Sequence, residues 1–160
     1  SEAFADNPLV LVAPPGHPLV GQRSVSPKKL SSEPFILREP GSGTRLTAEK
    51  FFHTHGVVLR NRLEVGSNEA IKQTVAGGLG LAVLSTHTVA PEIALGELAQ
   101  LDVQGFPLMR QWHVVYPRGK RLSAASLAFK DWLFQHRLGG DAAPEPKKRA
   151  PRRKAPTSAQ

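Results

Sequence analysis

The sequence predicts an α/β fold with a mainly parallel sheet. Short apolar, strand-like runs alternate with helix-forming runs along most of the chain, which is the pattern of βαβ construction. Two of those strand-like runs end in glycine-punctuated turns that open helices. The first turn is Arg38-Glu39-Pro40-Gly41-Ser42-Gly43-Thr44-Arg45, after Phe35-Ile36-Leu37. The second is Gly66-Ser67-Asn68-Glu69-Ala70-Ile71-Lys72-Gln73, after Leu63-Glu64-Val65. There is no internal repeat.

In chain order, Leu9-Val10-Leu11-Val12-Ala13 is continuously apolar, as in a strand covered on both faces. Pro14-Pro15-Gly16-His17-Pro18 stops it. Ser26-Pro27-Lys28-Lys29-Leu30 reads as a short helical turn, with Ser26 at the N-cap and Pro27 first in the helix. Phe35 to Arg38 is a second strand, and the helix after Gly43 runs to Gly56. Leu63 to Val65 is a third strand. Ser67 caps the next helix, with Ala70, Ile71, Thr74 and Val75 buried and Gly77 ending it. Leu81-Ala82-Val83-Leu84 is a fourth strand with Ser85-Thr86-His87-Thr88 at its end, and a short helix is expected from Pro91 to Leu95. Leu98 to Val103 and Gln111 to Tyr116 are further strands. Ser123 caps a final helix, whose stripe Phe129, Trp132, Leu133 and His136 is expected to be core, and Gly139-Gly140 end it.

The chain has 160 residues, enough for one domain or two small lobes, and 40% of them are hydrophobic. No run approaches the roughly 18 apolar residues of a membrane span. The N-terminus has neither a basic flank nor an apolar segment, so no secretory signal is visible. The absence of cysteine excludes disulfides, thiolate metal sites and cysteine nucleophiles, and suits a cytoplasmic protein. The first residue is Ser1, not Met, and the chain is expected to be a fragment. Net charge is +8, and half of it falls on the last twenty residues, where Lys147, Lys148, Arg149, Arg152, Arg153 and Lys154 face only Asp141 and Glu145. Segment 139–160 is expected to be a disordered basic tail. It is either a solubilising extension or a nonspecific phosphate-backbone binder.

No catalytic constellation is present, so the chain is read as a non-enzyme. Neither a Gly-x-Ser-x-Gly elbow nor a Gly-x4-Gly-Lys loop occurs. Gly78-Leu79-Gly80 precedes a strand instead of following one, the wrong context for a dinucleotide loop. His53 and His55 are two apart and point to different helix faces, so no metal site is expected, and no cofactor. The helix starts are more informative. A turn that feeds a helix presents unpaired N–H groups and the positive end of the helix dipole, which favour an anion. Ser42, Gly43 and Thr44, and Ser67 and Asn68, are therefore candidate effector-binding residues, or plain helix caps. Thr86 and His87, beside Ser85, join them because open α/β sheets place ligands at the carboxyl ends of their strands. Arg38 and Arg45 suit a carboxylate or phosphate, or lie in solvent.

The segment order resembles the effector-binding domain of LysR-type transcriptional regulators over about residues 6 to 138. The resemblance rests on Leu9 to Leu19, Pro34 to Arg45, Ser67 to Lys72, Gly77 to Ser85, Gln111 to Tyr116 and the helix after Leu122. Within that family, Arg-Glu-Pro-Gly-Ser-Gly-Thr-Arg with Ser-Asn-Glu-Ala-Ile-Lys looks most like regulators of the RuBisCO operon. The resemblance implies a fold similar to type II periplasmic binding proteins, with two lobes and an effector between them. On that mapping residues 1–138 are the C-terminal part of the domain. The second lobe, about 19–104, is complete; the first is mostly missing, with hinge strands and the final helix flanking the second. The implied partners are a small anionic metabolite such as a phosphorylated sugar, a second copy in the intact regulator, and DNA through an N-terminal domain that this chain lacks. Two other readings stay open: a solute-binding lobe of a transport-type protein, and a nucleic-acid binder acting through the basic tail.

Overall fold

A computed structural model describes residues 1–59 and 62–136. The expected tail 139–160 and the glycines that were to end the final helix lie outside the described residues.

The main body is one mixed sheet. Strand β2 (Leu9–Ala13) pairs antiparallel with both β5 (Ala82–Ser85) and β6 (Ala99–Leu101). Strand β3 (Phe35–Leu37) pairs parallel with β4 (Arg62–Glu64). A parallel bridge from Phe35 to Leu81 joins the two groups, giving the order β4-β3-β5-β2-β6. Strands β3 to β6 therefore run one way and β2 alone runs against them. The expected parallel direction holds for four strands, but β2 sits between two of them, so the three-stranded half is antiparallel. Helices α1 (Gly43–Thr54), α2 (Asn68–Ala76) and α3 (Thr86–Ala94) make the crossovers.

The core follows from the period-two alternation of a strand. Leu9, Leu11, Phe35, Leu37 and Val83 face one side with Ala48, Phe51 and Phe52 of α1. Val10, Val12, Ile36, Ala82 and Leu84 face the other, with Ile71 and Val75 of α2 and Val89 of α3. Both faces are covered, which is why β2 is apolar at every position and wholly buried. Gly80 brings the chain against β3; at φ 153° a β-carbon there would stand 2.7 Å from the Pro34 carbonyl oxygen.

Beyond the body, β1 (Glu2–Asp6) and β7 (Gln111–Val114) form an antiparallel ribbon, with a register shift between Ala3 and Ala5. It continues into the body through mutual backbone hydrogen bonds of Leu9 and Leu108, both 2.9 Å. Helix α4 (Ala124–Gln135) covers the ribbon. Lys130 bonds Glu2 and Tyr116, and Phe134 meets Phe4 edge-on at 6.5 Å.

Four expectations change. Strand β1 was not foreseen; its short Glu-Ala-Phe-Ala-Asp run becomes a strand because β7 pairs with it. Helix α3 starts at Thr86, so Pro91 lies inside it and does not open it. On α2 the buried positions are Ile71, Lys72 and Val75, while Ala70 is exposed. The Lys72 stem can be buried because its ammonium meets Glu92 at 2.6 Å and Glu69 at 2.8 Å. On α4 the face turned to the ribbon carries Lys130, Leu133 and Phe134. Phe129 and Trp132 are 61% and 53% exposed, since nothing among the described residues covers that side.

Candidate functional site

The body presents three helix starts, each just after a strand. At α1, Ser42 occupies the N-cap with extended backbone, but its hydroxyl caps nothing. Neither the Ser42 nor the Thr44 hydroxyl has a hydrogen-bond partner among the described residues, and both side chains are half-buried. The plain-cap reading of Ser42 therefore fails for its side chain. Gly43 matters by what stands over it. A β-carbon there would lie 2.8 Å from Nη1 and 3.1 Å from Nη2 of Arg110. The Arg110 backbone is held by its carbonyl, which accepts from the Asn7 N–H at 2.7 Å. Among the described residues no carboxylate pairs with its guanidinium. Arg110 also lines a cavity of about 450 Å³ together with Asp6, Met109, Gln111 and His113.

At α2, Ser67 does cap the helix, its Oγ accepting from the Ala70 N–H at 3.5 Å. Asn68, the first helical residue, accepts at Oδ1 from Arg38 Nη1 at 2.7 Å. Arg38 also donates from Nε and Nη2 to the two Glu39 oxygens at 2.7 and 2.8 Å, a fork-to-fork pair. That hydrogen-bonded contact holds the Glu39 carboxyl below the usual glutamate range and raises Arg38. Arg45 is committed likewise, to Glu64 at 2.7 Å, Glu49 at 2.9 Å and the Arg38 carbonyl at 3.0 Å. The two arginines, expected either to suit an anion or to lie in solvent, are thus half-buried braces at the end of β3.

At α3, the side chains hold the chain that leaves the body. Ser85 Oγ donates to Asn7 Oδ1 at 2.5 Å, and Thr86 Oγ1 and its N–H both donate to the Pro8 carbonyl. His87 Nε2 lies 3.1 Å from the Asp6 carbonyl, so that nitrogen carries the hydrogen, and its ring lies tilted by 35° against Trp112 at 5.4 Å.

The seven expected residues therefore fall into groups. Arg38 ties the entry turn of α1 to Asn68 at the start of α2. Gly43, between Ser42 and Thr44 in the chain, lies under Arg110. Thr86 and His87 grip the β1–β2 junction. Arg110 was missed, because nothing local in Leu-Met-Arg-Gln-Trp marks it; only the return of the chain past α1 does. Among the described residues no three His, Asp or Glu side chains are grouped to hold a metal. No described helix is long and apolar enough to cross a membrane.

The family described as LysR substrate binding domain matches residues 1–137. A RuBisCO operon transcriptional regulator of Acidithiobacillus ferrooxidans is 58% identical over 144 residues, 90% of this chain and 47% of that protein. Its namesake in Allochromatium vinosum is 51% identical over 134 residues, 84% of this chain and 44% of that protein. The chain thus spans about half the length of the curated relatives it matches. Among solved structures, the regulatory domain of Synechocystis PCC6803 CcmR in complex with 2-PG superposes with a TM-score of 0.80 at 49% identity, over 84% of this chain and 64% of that one. The effector binding domain of QuiR in complex with shikimate shares the fold at a TM-score of 0.73 and 20% identity, over 86% of this chain and 66% of that one.

Proposed function

The chain belongs to the LysR substrate binding domain family, and on that premise we propose that the starts of α1 and α2, with Arg110, form one wall of a pocket for a small phosphorylated or carboxylated metabolite. Arg110 carries the reading. A cation at the positive end of a helix is disfavoured unless an anion lies between them. Here the cation has no carboxylate partner among the described residues, and the hydroxyls of Ser42 and Thr44, the chain neighbours of Gly43, are unpartnered among them as well. A phosphate or carboxylate there would take the Arg110 fork, the N–H groups of Gly43 and Thr44, and those hydroxyls. The 2-PG bound by the CcmR domain belongs to this anionic class.

The body, about residues 19–104 together with β2, is then the second lobe. The paired segments β1–β2 and 108–114 cross a hinge, and α4 with the ribbon belongs against a first lobe. Thr86 and His87 serve the hinge, since their partners are carbonyls of the crossing strand. In the longer protein, effector binding biases the lobe arrangement, and through it a DNA-bound oligomer acting in the cytoplasm. The role is sensing, not catalysis.

The test is titration of the chain with 2-PG and with inorganic phosphate, followed by NMR and calorimetry. Binding should weaken about 10- to 100-fold in Arg110→Gln, the range for a hydrogen bond to a charged group. Thr44→Ala and Asn68→Ala should each lose up to about tenfold. Failure of 2-PG to bind, or equal binding by all three variants, overturns the proposal.

A further inference from the structure

We infer that Arg38 is a positioning residue: it fixes the polarity of the Asn68 amide so that this side chain, at the start of α2, offers only N–H donors to the ligand. The inference rests on the pocket reading above and names what that wall selects. A guanidinium can donate and cannot accept. The Asn68 atom 2.7 Å from Arg38 Nη1 must therefore be the oxygen. The amide nitrogen points away from Arg38, and its two N–H groups have no acceptor among the described residues. The backbone N–H groups of the first turn of α2 are donors as well.

Arg38 is itself held in place. Glu39 engages Nε and Nη2 in a planar fork, leaving Nη1 for Asn68. The Arg38 carbonyl accepts from Arg45, which Glu49 and Glu64 anchor in turn. The orientation of one amide is thus fixed by a chain of ion pairs behind it. A side chain that could present either a donor or an acceptor is restricted to donors, so this position accepts an oxyanion and rejects a ligand group that would itself donate.

Asn68→Asp and Arg38→Gln test this. Aspartate keeps the shape and the contact with Arg38, and replaces the amide donors with an acceptor. Asn68→Asp should leave the melting temperature unchanged or raised, yet weaken 2-PG binding at least tenfold. Arg38→Gln, whose amide can accept or donate, should release the Asn68 orientation. In ¹⁵N spectra the Asn68 side-chain amide, one of three asparagine amides in the chain, should shift on adding 2-PG to the parent chain. In Arg38→Gln that shift should be lost and the affinity should fall about tenfold. Parent-like 2-PG affinity in Asn68→Asp, or an Asn68 amide signal unmoved while 2-PG binds, overturns the inference and leaves the Arg110 reading standing. A parent chain that binds no 2-PG at all overturns both.

Discussion

The guanidinium of Arg110 stands over Gly43, its Nη1 2.8 Å from the point where a β-carbon would be. Gly43 lies within helical backbone at the start of α1, so alanine suits its conformation. Gly43→Ala should raise stability by roughly 0.4–1 kcal/mol through the unfolded chain. The added methyl pushes the flexible end of Arg110 aside, so 2-PG affinity should fall about tenfold. Opposite signs in a denaturant titration and a binding isotherm are the expected result. A parallel change in both would mean that Arg110 and Gly43 are coupled only through folding.

Phe52 is the pivot of the α1 face of the sheet. It is 1% exposed and meets Phe35 edge-on at 5.0 Å and Phe51 at 5.3 Å. Phe52→Ala should cost about 3–5 kcal/mol, the range for opening a cavity in a packed core. Urea unfolding of the two proteins measures it. A loss below 1 kcal/mol would mean that the layer collapses around the gap.

Glu2 accepts from Lys130 and Tyr116, and those hydrogen bonds hold its carboxyl below the usual glutamate range. A carboxylate depressed by folding contributes stability above its unfolded pKa and loses it as the pH falls through the folded one. The docking of α4 on the ribbon should therefore loosen on acidification through and below the ordinary glutamate range. Trp112, stacked on Phe4 in the ribbon at 6.2 Å, is the fluorescent reporter. Glu2→Gln should flatten that acid transition, and a transition of unchanged size in the variant would assign it to another group.

The outer side of α4 exposes Phe129 and Trp132 at 61% and 53%. Grouped apolar exposure of this kind favours association. The chain should be marginally stable and self-associate at micromolar to millimolar concentration. The double substitution Phe129→Ser with Trp132→Ser should shift it toward monomer in sedimentation without loosening α4, whose contacts lie on the other side. A dye-silent monomer of the parent chain would show that this face needs no cover.

The sequence by itself determined the strands β2 to β6, the helices that follow β3 and β4, and the two glycine-marked helix starts. Those signals are local: an unbroken apolar run, a capping serine, a glycine after a helix. It also carried the family resemblance, since Arg38 to Arg45 and Ser67 to Lys72 keep their order and spacing. Only the tertiary structure decided that β2 runs against its neighbours, because a strand's direction within a sheet is set by where the chain enters. It turned Phe129 and Trp132 outward, because an amphipathic stripe does not say which partner is present to cover it. It also assigned the arginines. Arg38 and Arg45 find carboxylates and become braces, while Arg110 comes to the start of α1 without one among the described residues. Glu39 and Glu49 lie close to their arginines in sequence, but Asn68, Glu64 and the approach of Arg110 to Gly43 are brought in from other parts of the chain, and no local window of sequence contains both members of those pairs.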